Sequence, residues 1–188
     1  MAETTKRALE ASLKNLLLKK TVNKITINDI TEDGGISRMT FYYHFKDIYD
    51  LIEWSCEEDA RLAIEGNTTY KTWDQGFLNI FRAVQENKPF ILNVYRSVSR
   101  EQIEQYLYKV THKLLIDVVE ECARGLKVTD ADKEFIADFY KFAFVGLMLD
   151  WIREDMRPDP EQIVVRLKRM IEGDIALALR RFEDRPGT

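Results

Sequence analysis

The sequence of 188 residues predicts an all-α protein with a small N-terminal head of three helices and a larger C-terminal helical domain. Apolar residues recur at the spacing of amphipathic helices along most of the chain. The four prolines leave long segments between them free to form helices. Near the N-terminus, residues 25–45 contain two short helix-compatible segments on either side of a glycine pair, which is the pattern of a helix-turn-helix.

The head begins with an amphipathic helix, because four leucines, Leu9, Leu13, Leu16 and Leu17, fall on one helical face and are expected to be buried. The second helix is expected to end near Gly34 or Gly35, since glycine readily adopts the left-handed conformation that follows many helix ends. Ser37 is suited to cap the third helix by accepting a hydrogen bond from a free backbone N–H. These features together predict a three-helix head.

The third helix has one apolar side. Phe41 and Phe45 lie four residues apart and are expected to anchor it to the other two helices. Polar and aromatic side chains occupy the rest of its surface: Arg38, Thr40, Tyr42, Tyr43 and His44. The residues alone leave two interpretations open. The helix pair is either an amphipathic hairpin with a polar outer face, or a motif whose last helix enters the major groove of DNA.

The segment GISRMTFYYHFKD, residues 35–47, together with the upstream Thr26 and Ile30, resembles the DNA-binding motif of the tetracycline-repressor (TetR) family. The match is dense and ungapped. It implies an N-terminal helix-turn-helix DNA-binding domain over residues 1–47. It also implies a C-terminal helical ligand-binding and dimerisation domain over residues 48–188, in which residues 48–65 form a connecting helix.

The same resemblance assigns the DNA contacts to one set of residues: Thr26, Ser37, Arg38, Thr40, Tyr42, Tyr43, His44 and Lys46. Arg38 and Thr40 are expected in the groove, and Tyr42 at a base or a phosphate. Thr26, His44 and Lys46 are expected at phosphates. Contacts to phosphates position the head on DNA but do not specify the base sequence.

Charge is unevenly distributed along the chain. The formal net charge is −4, whereas residues 1–46 hold eight lysine or arginine residues against five aspartate or glutamate residues, a net +3. The remaining residues therefore carry −7. A mildly basic head on an acidic body suits a protein whose head alone meets the phosphates of DNA.

Several other classes of protein are disfavoured. Cys56 and Cys122 are far apart in sequence, and with only His44 and His112 available no metal site and no cofactor are predicted. The carboxylates are scattered at helix-surface spacing, without a nucleophile set or a glycine-rich phosphate loop, so the chain is not predicted to be an enzyme. The N-terminus lacks a signal-peptide pattern, and no membrane association is predicted, so we expect a cytoplasmic protein.

The remaining sequence predicts a series of helices. They cover residues 48–65, 73–87, 89–98, 100–126, 130–156 and 160–182. The helix over 130–156 is apolar nearly all round between Phe135 and Ile152, but charged residues interrupt it well short of a membrane span. It is therefore either a central core helix or a helix at a dimer interface.

A small three-helix head contacts few base pairs, so the motif itself favours a homodimer that binds two half-sites of a palindrome. The last two predicted helices are the candidates for the interface because both are rich in apolar residues. The candidate interface residues are Phe144, Leu147, Trp151, Leu167, Met170 and Ile171. Packing of these helices inside one monomer is the alternative.

The C-terminal domain is rich in aromatic residues, which form either a hydrophobic core or the lining of an effector pocket. The candidate pocket residues are Trp73, Phe77, Phe81, Tyr95, Tyr106, Phe139 and Phe142. The pattern Phe139-Tyr140, Gly146, Trp151-Ile152 and Pro158 is also similar to a TetR subgroup that includes regulators of dihydroxyacetone kinase operons. In such relatives the effector can be a protein.

The sequence thus predicts a TetR-type transcriptional regulator, in the first instance a repressor, that binds a double-stranded palindromic operator as a homodimer. An unidentified small-molecule or protein effector is expected to control its affinity for DNA through the C-terminal domain. The alternative is an activator, or a helical adaptor, controlled by a protein partner.

Overall fold

The computed structural model describes residues 2–183, which form ten α-helices, one 3₁₀ turn and no strand. The predicted all-α fold is confirmed. The elements in chain order are α1 Ala2–Leu17, the 3₁₀ turn Val22–Lys24, α2 Ile27–Asp33, α3 Arg38–His44, α4 Ile48–Ile64, α5 Trp73–Glu86, α6 Lys88–Ser97, α7 Arg100–Cys122, α8 Asp130–Arg153, α9 Pro160–Ile171 and α10 Asp174–Glu183.

The described residues divide into two compact units. The head unit comprises residues 2–59 and 86–106, and the body unit comprises residues 60–85 and 107–183. The head unit therefore extends past residue 47, where the sequence placed the domain boundary. It includes the first three turns of α4 and the whole of α6.

The core of the head unit forms where α1 packs on α2. Leu9, Leu13 and Leu17 of α1 are buried, as their helical spacing predicts, whereas Leu16 is only half-buried. Ser12, which is also buried, donates a hydrogen bond from its hydroxyl to the carbonyl oxygen of Ile30 at 2.8 Å. This bond fixes α2 against α1 and satisfies a polar group that burial would otherwise leave unpaired.

A buried ionic network ties α1 to α4. The carboxylate of Glu10, only 5% exposed, contacts Arg7 Nη1 at 2.9 Å and Lys14 Nζ at 2.8 Å, and accepts a hydrogen bond from Ser55 Oγ at 2.7 Å. Each of the two cations also reaches a carboxylate of α4. Arg7 pairs with Glu58 at 2.6 Å, and Lys14 pairs with Asp59 at 2.7 Å. The first turns of α4 are thereby held on α1.

The side chain of Asn93 ties helix α6 to the end of α1 and to the turn that follows it. The Asn93 amide nitrogen donates to the carbonyl oxygens of Leu17, at 3.0 Å, and Lys20, at 2.8 Å. Its amide oxygen accepts a hydrogen bond from the backbone N–H of Val22 at 3.2 Å. Carbonyl groups at the end of a helix have no partner within the helix, so Asn93 satisfies groups that α1 leaves free.

Replacing Asn93 by leucine is expected to destabilise the protein by about 1–3 kcal/mol, because three backbone groups lose their partner at once. Chemical denaturation measures this loss directly. Asn15→Leu is the matched control, since Asn15 is exposed on α1. Equal stability of the two variants would show that the Asn93 hydrogen bonds do not hold α6 in place.

The body unit has an aromatic core. Phe77 lies at its centre, with ring centroids 5.0 Å from Phe81 and 4.5 Å from Phe144. Trp73 packs on Phe144 at 5.5 Å, and Trp151 packs edge-on against Phe81 at 4.8 Å. Buried aromatic rings at these distances add packing energy beyond the area they bury. The indole N–H of Trp151 donates a hydrogen bond to the carbonyl oxygen of Pro158 at 2.7 Å.

The prediction for the last helix was wrong in one respect. The sequence predicts one helix over residues 160–182, whereas the structure has two, because the chain turns at Glu172 and Gly173. Gly173 has a φ of +86°, which ends a right-handed helix and favours glycine. Asp174 then begins α10.

Candidate nucleic-acid interface

The turn between α2 and α3 has the geometry of a helix-turn-helix. Helix α2 ends at Asp33, and Gly35 adopts a φ of +63° in the left-handed region. The backbone N–H of Ile36 then donates to the carbonyl oxygen of Thr31 at 2.9 Å. The predicted role of Gly35 is confirmed, because few other residues adopt this conformation without strain.

Thr26 caps the N-terminus of α2. Its hydroxyl accepts from the backbone N–H of Asp29 at 3.1 Å and donates to the Asp29 carboxylate at 2.8 Å, and that carboxylate in turn accepts from the Thr26 backbone. The backbone and side-chain hydrogen bonds from Thr26, with a further one from Lys20, lower the pKa of Asp29 to about 2. The hydroxyl predicted to meet a phosphate is therefore already engaged beside a permanent negative charge. The Asp29 carboxylate would repel a phosphate that approaches this point. The amine of Lys20, 3.0 Å from Asp29, is the cation placed to offset that repulsion.

Ser37 caps α3, as the sequence predicts. Its hydroxyl oxygen accepts from the backbone N–H of Thr40 at 3.1 Å and also lies 2.8 Å from the Thr40 hydroxyl. The cap satisfies one of the free N–H groups of the first turn. It therefore sets the start of the helix that carries most of the predicted DNA contacts.

Two phenylalanines anchor α3. Phe41 is fully buried and Phe45 nearly so, with their ring centroids 5.9 Å apart. Phe45 packs against Trp54 of α4 at 5.7 Å, and the amine of Lys6 lies over both of these rings. The anchoring role predicted for Phe41 and Phe45 is confirmed. The opposite face of α3 is left free to project outward.

Met39 and Tyr43 are the outermost side chains of α3, and each is 83% exposed. They lie four residues apart, on the side of the helix turned away from Phe41 and Phe45. Tyr43 is among the DNA contacts predicted from the sequence, whereas Met39 is not. The signal was available, because Met39 falls outside the apolar stripe that anchors the helix.

Arg38 and Tyr42 form a pair at one side of this outer face. The Arg38 guanidinium lies 5.8 Å from the centroid of the Tyr42 ring, and its Nη2 donates to the Tyr42 hydroxyl at 3.4 Å. Thr40 and His44 lie on the other side of the face and are partly exposed. Lys46 follows the helix with an exposed side chain. The outer face of α3 thus presents a cation, hydroxyls, an imidazole and a methyl-bearing apolar group together.

The seven candidate pocket residues are divided between the two units. Trp73, Phe77 and Phe81 pack against one another and their neighbours in the core of the body unit. Phe139 and Phe142 are more than half exposed on the surface of α8. The remaining two, Tyr95 and Tyr106, belong to the head unit.

The six candidate interface residues also separate. Four of them are buried within the body unit, namely Phe144, Trp151, Leu167 and Ile171. Leu147 and Met170 are exposed. The exposed apolar face of α8 is instead formed mainly by Phe135, Phe139 and Phe142, each more than half exposed.

This α8 face continues along the helix at Ala143 and Gly146, both exposed. A Cβ placed on Gly146 would meet no neighbour within 4 Å among the described residues. The face therefore changes from large aromatic side chains to small residues along one helix. Beside it lies a groove of about 280 Å³. Residues of α8 and α10 line the groove: Phe135, Ile136, Phe139, Tyr140, Asp174, Leu177, Ala178, Arg181 and Phe182.

Residues 2–183 lack the features of two other kinds of site. These residues contain no group of three or more histidine, cysteine, aspartate or glutamate side chains placed to hold a metal ion. No helix among them is both long enough and apolar enough to cross a bilayer. Burial raises the pKa of the Cys56 thiol to about 12, so this cysteine stays protonated and unreactive.

A helix-turn-helix in a small head, followed by a larger helical body, is the architecture of a DNA-binding transcriptional regulator. The family model described as "Transcriptional regulator C-terminal region", a TetR C-terminal domain, matches residues 71–173, more than half of the chain. The chain belongs to the TetR family, whose members are transcriptional regulators and not enzymes.

Relatives of known name agree with this assignment. The "HTH-type dhaKLM operon transcriptional activator DhaS" of Lactococcus lactis is 26% identical over 145 residues, 76% of each chain. The solved structure of a dihydroxyacetone kinase operon activator, DhaS, has a TM-score of 0.69 at 22% identity, covering 95% of this chain and 98% of the other. The TetR family repressor AlkX from Dietzia has a TM-score of 0.55 at 15% identity, covering 94% and 96%. The similarity to the DhaS-type subgroup, indicated by the C-terminal pattern, is supported.

Proposed function

We propose that the protein regulates transcription in the cytoplasm by binding a palindromic operator as a homodimer, with α3 of each head unit in the major groove. The observation that carries this proposal is the geometry of α3. Phe41 and Phe45 fix its inner side, and the outer side presents donors, acceptors and apolar groups in a compact patch. An α-helix that presents such groups fits the major groove and can distinguish its base pairs.

Within this patch we assign base contacts to the outermost side chains. Arg38 can donate two hydrogen bonds to a guanine edge, and the methyl group of Met39 can contact a thymine methyl. Thr40, Tyr42 and Tyr43 extend the contact to neighbouring bases or phosphates. The phosphate backbone borders the groove at the ends of α3. Ser37, with its capping hydroxyl, lies at the start of the helix, and His44 and Lys46 lie at its end.

We propose that the homodimer forms through the exposed face of α8. Exposed aromatic side chains in a continuous stripe are costly for a monomer in water and are typical of interaction surfaces. The small residues Ala143 and Gly146 allow a second helix to approach closely at one end of the stripe. Two-fold symmetry places the same surface on both subunits, as an operator with two half-sites requires.

The Phe139→Glu variant is expected to be largely monomeric at micromolar concentration, because it places two charges at the centre of an apolar interface. Its operator affinity is expected to fall in parallel, since one head contacts a single half-site. Sedimentation equilibrium and fluorescence anisotropy measure the two effects. Leu62→Glu is the matched control, a substitution at an exposed apolar residue of α4. A Phe139→Glu dimer as tight as the wild type would rule out this face.

Regulation by an effector follows as a shift between two arrangements of the protein. An effector that binds the body unit more tightly in one arrangement moves the population toward it. Helix α4 spans residues of both units and is the element we propose to carry the change to the heads. Because half-sites lie about 34–36 Å apart on DNA, a modest change in head spacing is enough to weaken binding. The effector is either a small molecule or a protein.

Repression is the simplest result of operator binding, because a bound dimer obstructs transcription. Activation is the second candidate, favoured by the similarity to DhaS, whose name records it as an activator. A reporter gene placed behind the operator separates the two. Deletion of the regulator raises expression if it represses and lowers expression if it activates.

The experiment that tests the proposal is selection from a library of random DNA duplexes with the purified protein, read by sequencing. The expected result is an enriched palindrome whose affinity falls as salt rises, since cations of the head displace counterions from phosphates. A folded wild-type dimer that enriches no sequence, with or without cell extract as a source of effector, would refute operator binding.

A further inference from the structure

The exposed side of α10 has a symmetric pattern. Asp174, Leu177, Ala178 and Arg181 all line the groove beside α8, and they occupy helix positions i, i+3, i+4 and i+7. Residues at this spacing share one helical face. The acidic and basic residues stand about 10 Å apart along the helix, near its two ends. The apolar pair lies midway between them.

Among residues 2–183, the two charged residues at the ends of this face have no side-chain partner. Over residues 2–183, neither Asp174 nor Arg181 takes part in a salt bridge or a side-chain hydrogen bond, and both are exposed. Other charged residues of the body unit do pair, such as Lys168 with Asp74 at 2.6 Å. The groove thus carries one negative and one positive group that nothing in the described chain neutralises.

We propose that α10 crosses its copy in the second subunit in an antiparallel register centred between Leu177 and Ala178, so that Asp174 pairs with Arg181 of the partner subunit. This inference rests on the homodimer of the proposed function and specifies how its two copies align. By two-fold symmetry the ion pair forms twice. The occupant of the groove is therefore a second copy of this chain.

The register follows from symmetry and from the complementarity of the pairs. A two-fold axis through the midpoint of Asp174 and Arg181 also brings Leu177 opposite Ala178 of the partner subunit. A large side chain then meets a small one on both sides of the axis, as close packing requires. The antiparallel arrangement also places the N-terminus of one helix beside the C-terminus of the other, so the helix dipoles favour it.

Charge reversal tests this register. Each single variant, Asp174→Arg or Arg181→Asp, replaces two attractive pairs in its homodimer by two like-charge pairs. We expect each to dissociate with a constant raised about tenfold or more at low salt. An equimolar mixture of the two variants is expected to form mainly heterodimers, because only the heterodimer restores both attractive pairs. Native mass spectrometry distinguishes the three dimers by mass, and circular dichroism checks the fold of each variant.

The mixing experiment separates the possible outcomes. Random mixing, or single variants that dimerise as tightly as the wild type, would overturn the register while leaving the dimer intact. A wild-type protein that is monomeric at all concentrations would instead overturn the proposed homodimer. Arg180→Asp is the matched control, because Arg180 is exposed on α10 but outside the groove. It changes the net charge by the same amount and is expected to leave the dimer constant unchanged.

Discussion

The Arg38→Ala variant is expected to bind the selected operator at least about 30-fold more weakly than the wild type, because the homodimer loses a bidentate contact to a guanine, about 1–3 kcal/mol, in each of its two half-sites. The loss should be concentrated at one base pair of each half-site, where the variant no longer distinguishes guanine from the other bases. Its fold should be unaffected, since Arg38 is exposed and contacts only Tyr42 among the interactions described above. Fluorescence anisotropy with operators altered one base pair at a time measures both effects.

The control for this prediction is Arg124→Ala, which removes the same charge from an exposed position in the body unit. Tyr42→Phe completes the design, because it removes the hydroxyl that accepts from Arg38 and keeps the ring beneath it. If the pair acts together on DNA, the losses from Arg38→Ala and Tyr42→Phe will not add. An Arg38→Ala variant with unchanged affinity and unchanged base preference would exclude Arg38 from the interface.

The head could be predicted in detail because its signals are local. Gly35 needs a left-handed backbone, Ser37 needs a free N–H within three residues, and Phe41 and Phe45 need only one helical face. Each of these requirements is decided within a few residues of the chain. Asn93 lay beyond this reasoning, because its partners are more than 70 residues away in sequence and are backbone groups.

The body was less predictable because its central helix gives no directional signal. Helix α8 is apolar nearly all round, so periodicity does not identify which side faces the core. Phe144 and Trp151 were accordingly predicted at an interface, whereas both are buried in the core, and the exposed side of the helix, where Phe139 lies, was not identified. Which face of an all-apolar helix is covered depends on the packing of distant helices, and a single sequence does not record it.

The second large effect is expected at the ionic network of the head unit. Glu10→Gln keeps the size of the side chain but removes the charge that faces Arg7 and Lys14, and it turns an amide N–H₂ group toward one of its donors. Buried charges that lose a partner destabilise strongly, but Arg7 and Lys14 keep the carboxylates of α4. We therefore expect a loss of about 3 kcal/mol in the free energy of unfolding at pH 7.

The matched control is Glu3→Gln, the same substitution on the same helix. Glu3 also pairs with Arg7, at 3.5 Å, but its side chain is 65% exposed. Exposed pairs contribute little, so this variant should lose less than about 1 kcal/mol. Urea denaturation of both variants gives the comparison. Similar losses in the free energy of unfolding from Glu3→Gln and Glu10→Gln would mean that the buried network stabilises the protein no more than an exposed ion pair does.

The difference between wild type and Glu10→Gln should also depend on pH, in one direction only. Burial by itself raises the pKa of Glu10, but the hydrogen bonds that the carboxylate accepts outweigh it, and the pKa lies below the ordinary 4.5. The stabilisation from its charge is therefore complete above about pH 4.5 and is lost as pH falls through the lowered pKa of the folded state.

Asp59 titrates in the opposite sense, because burial raises its pKa despite the hydrogen bond from Lys14. Its ionised form is therefore disfavoured in the folded state, and protonation relieves that cost as pH falls. Since wild type and Glu10→Gln both carry Asp59, subtracting their unfolding free energies leaves the contribution of Glu10, including the effect of its charge on the pKa of Asp59. The difference should shrink in acid, where protonated Glu10 and glutamine carry the same charge. A difference that stays constant down to the onset of acid unfolding would mean that the Glu10 charge does not hold α4 on α1.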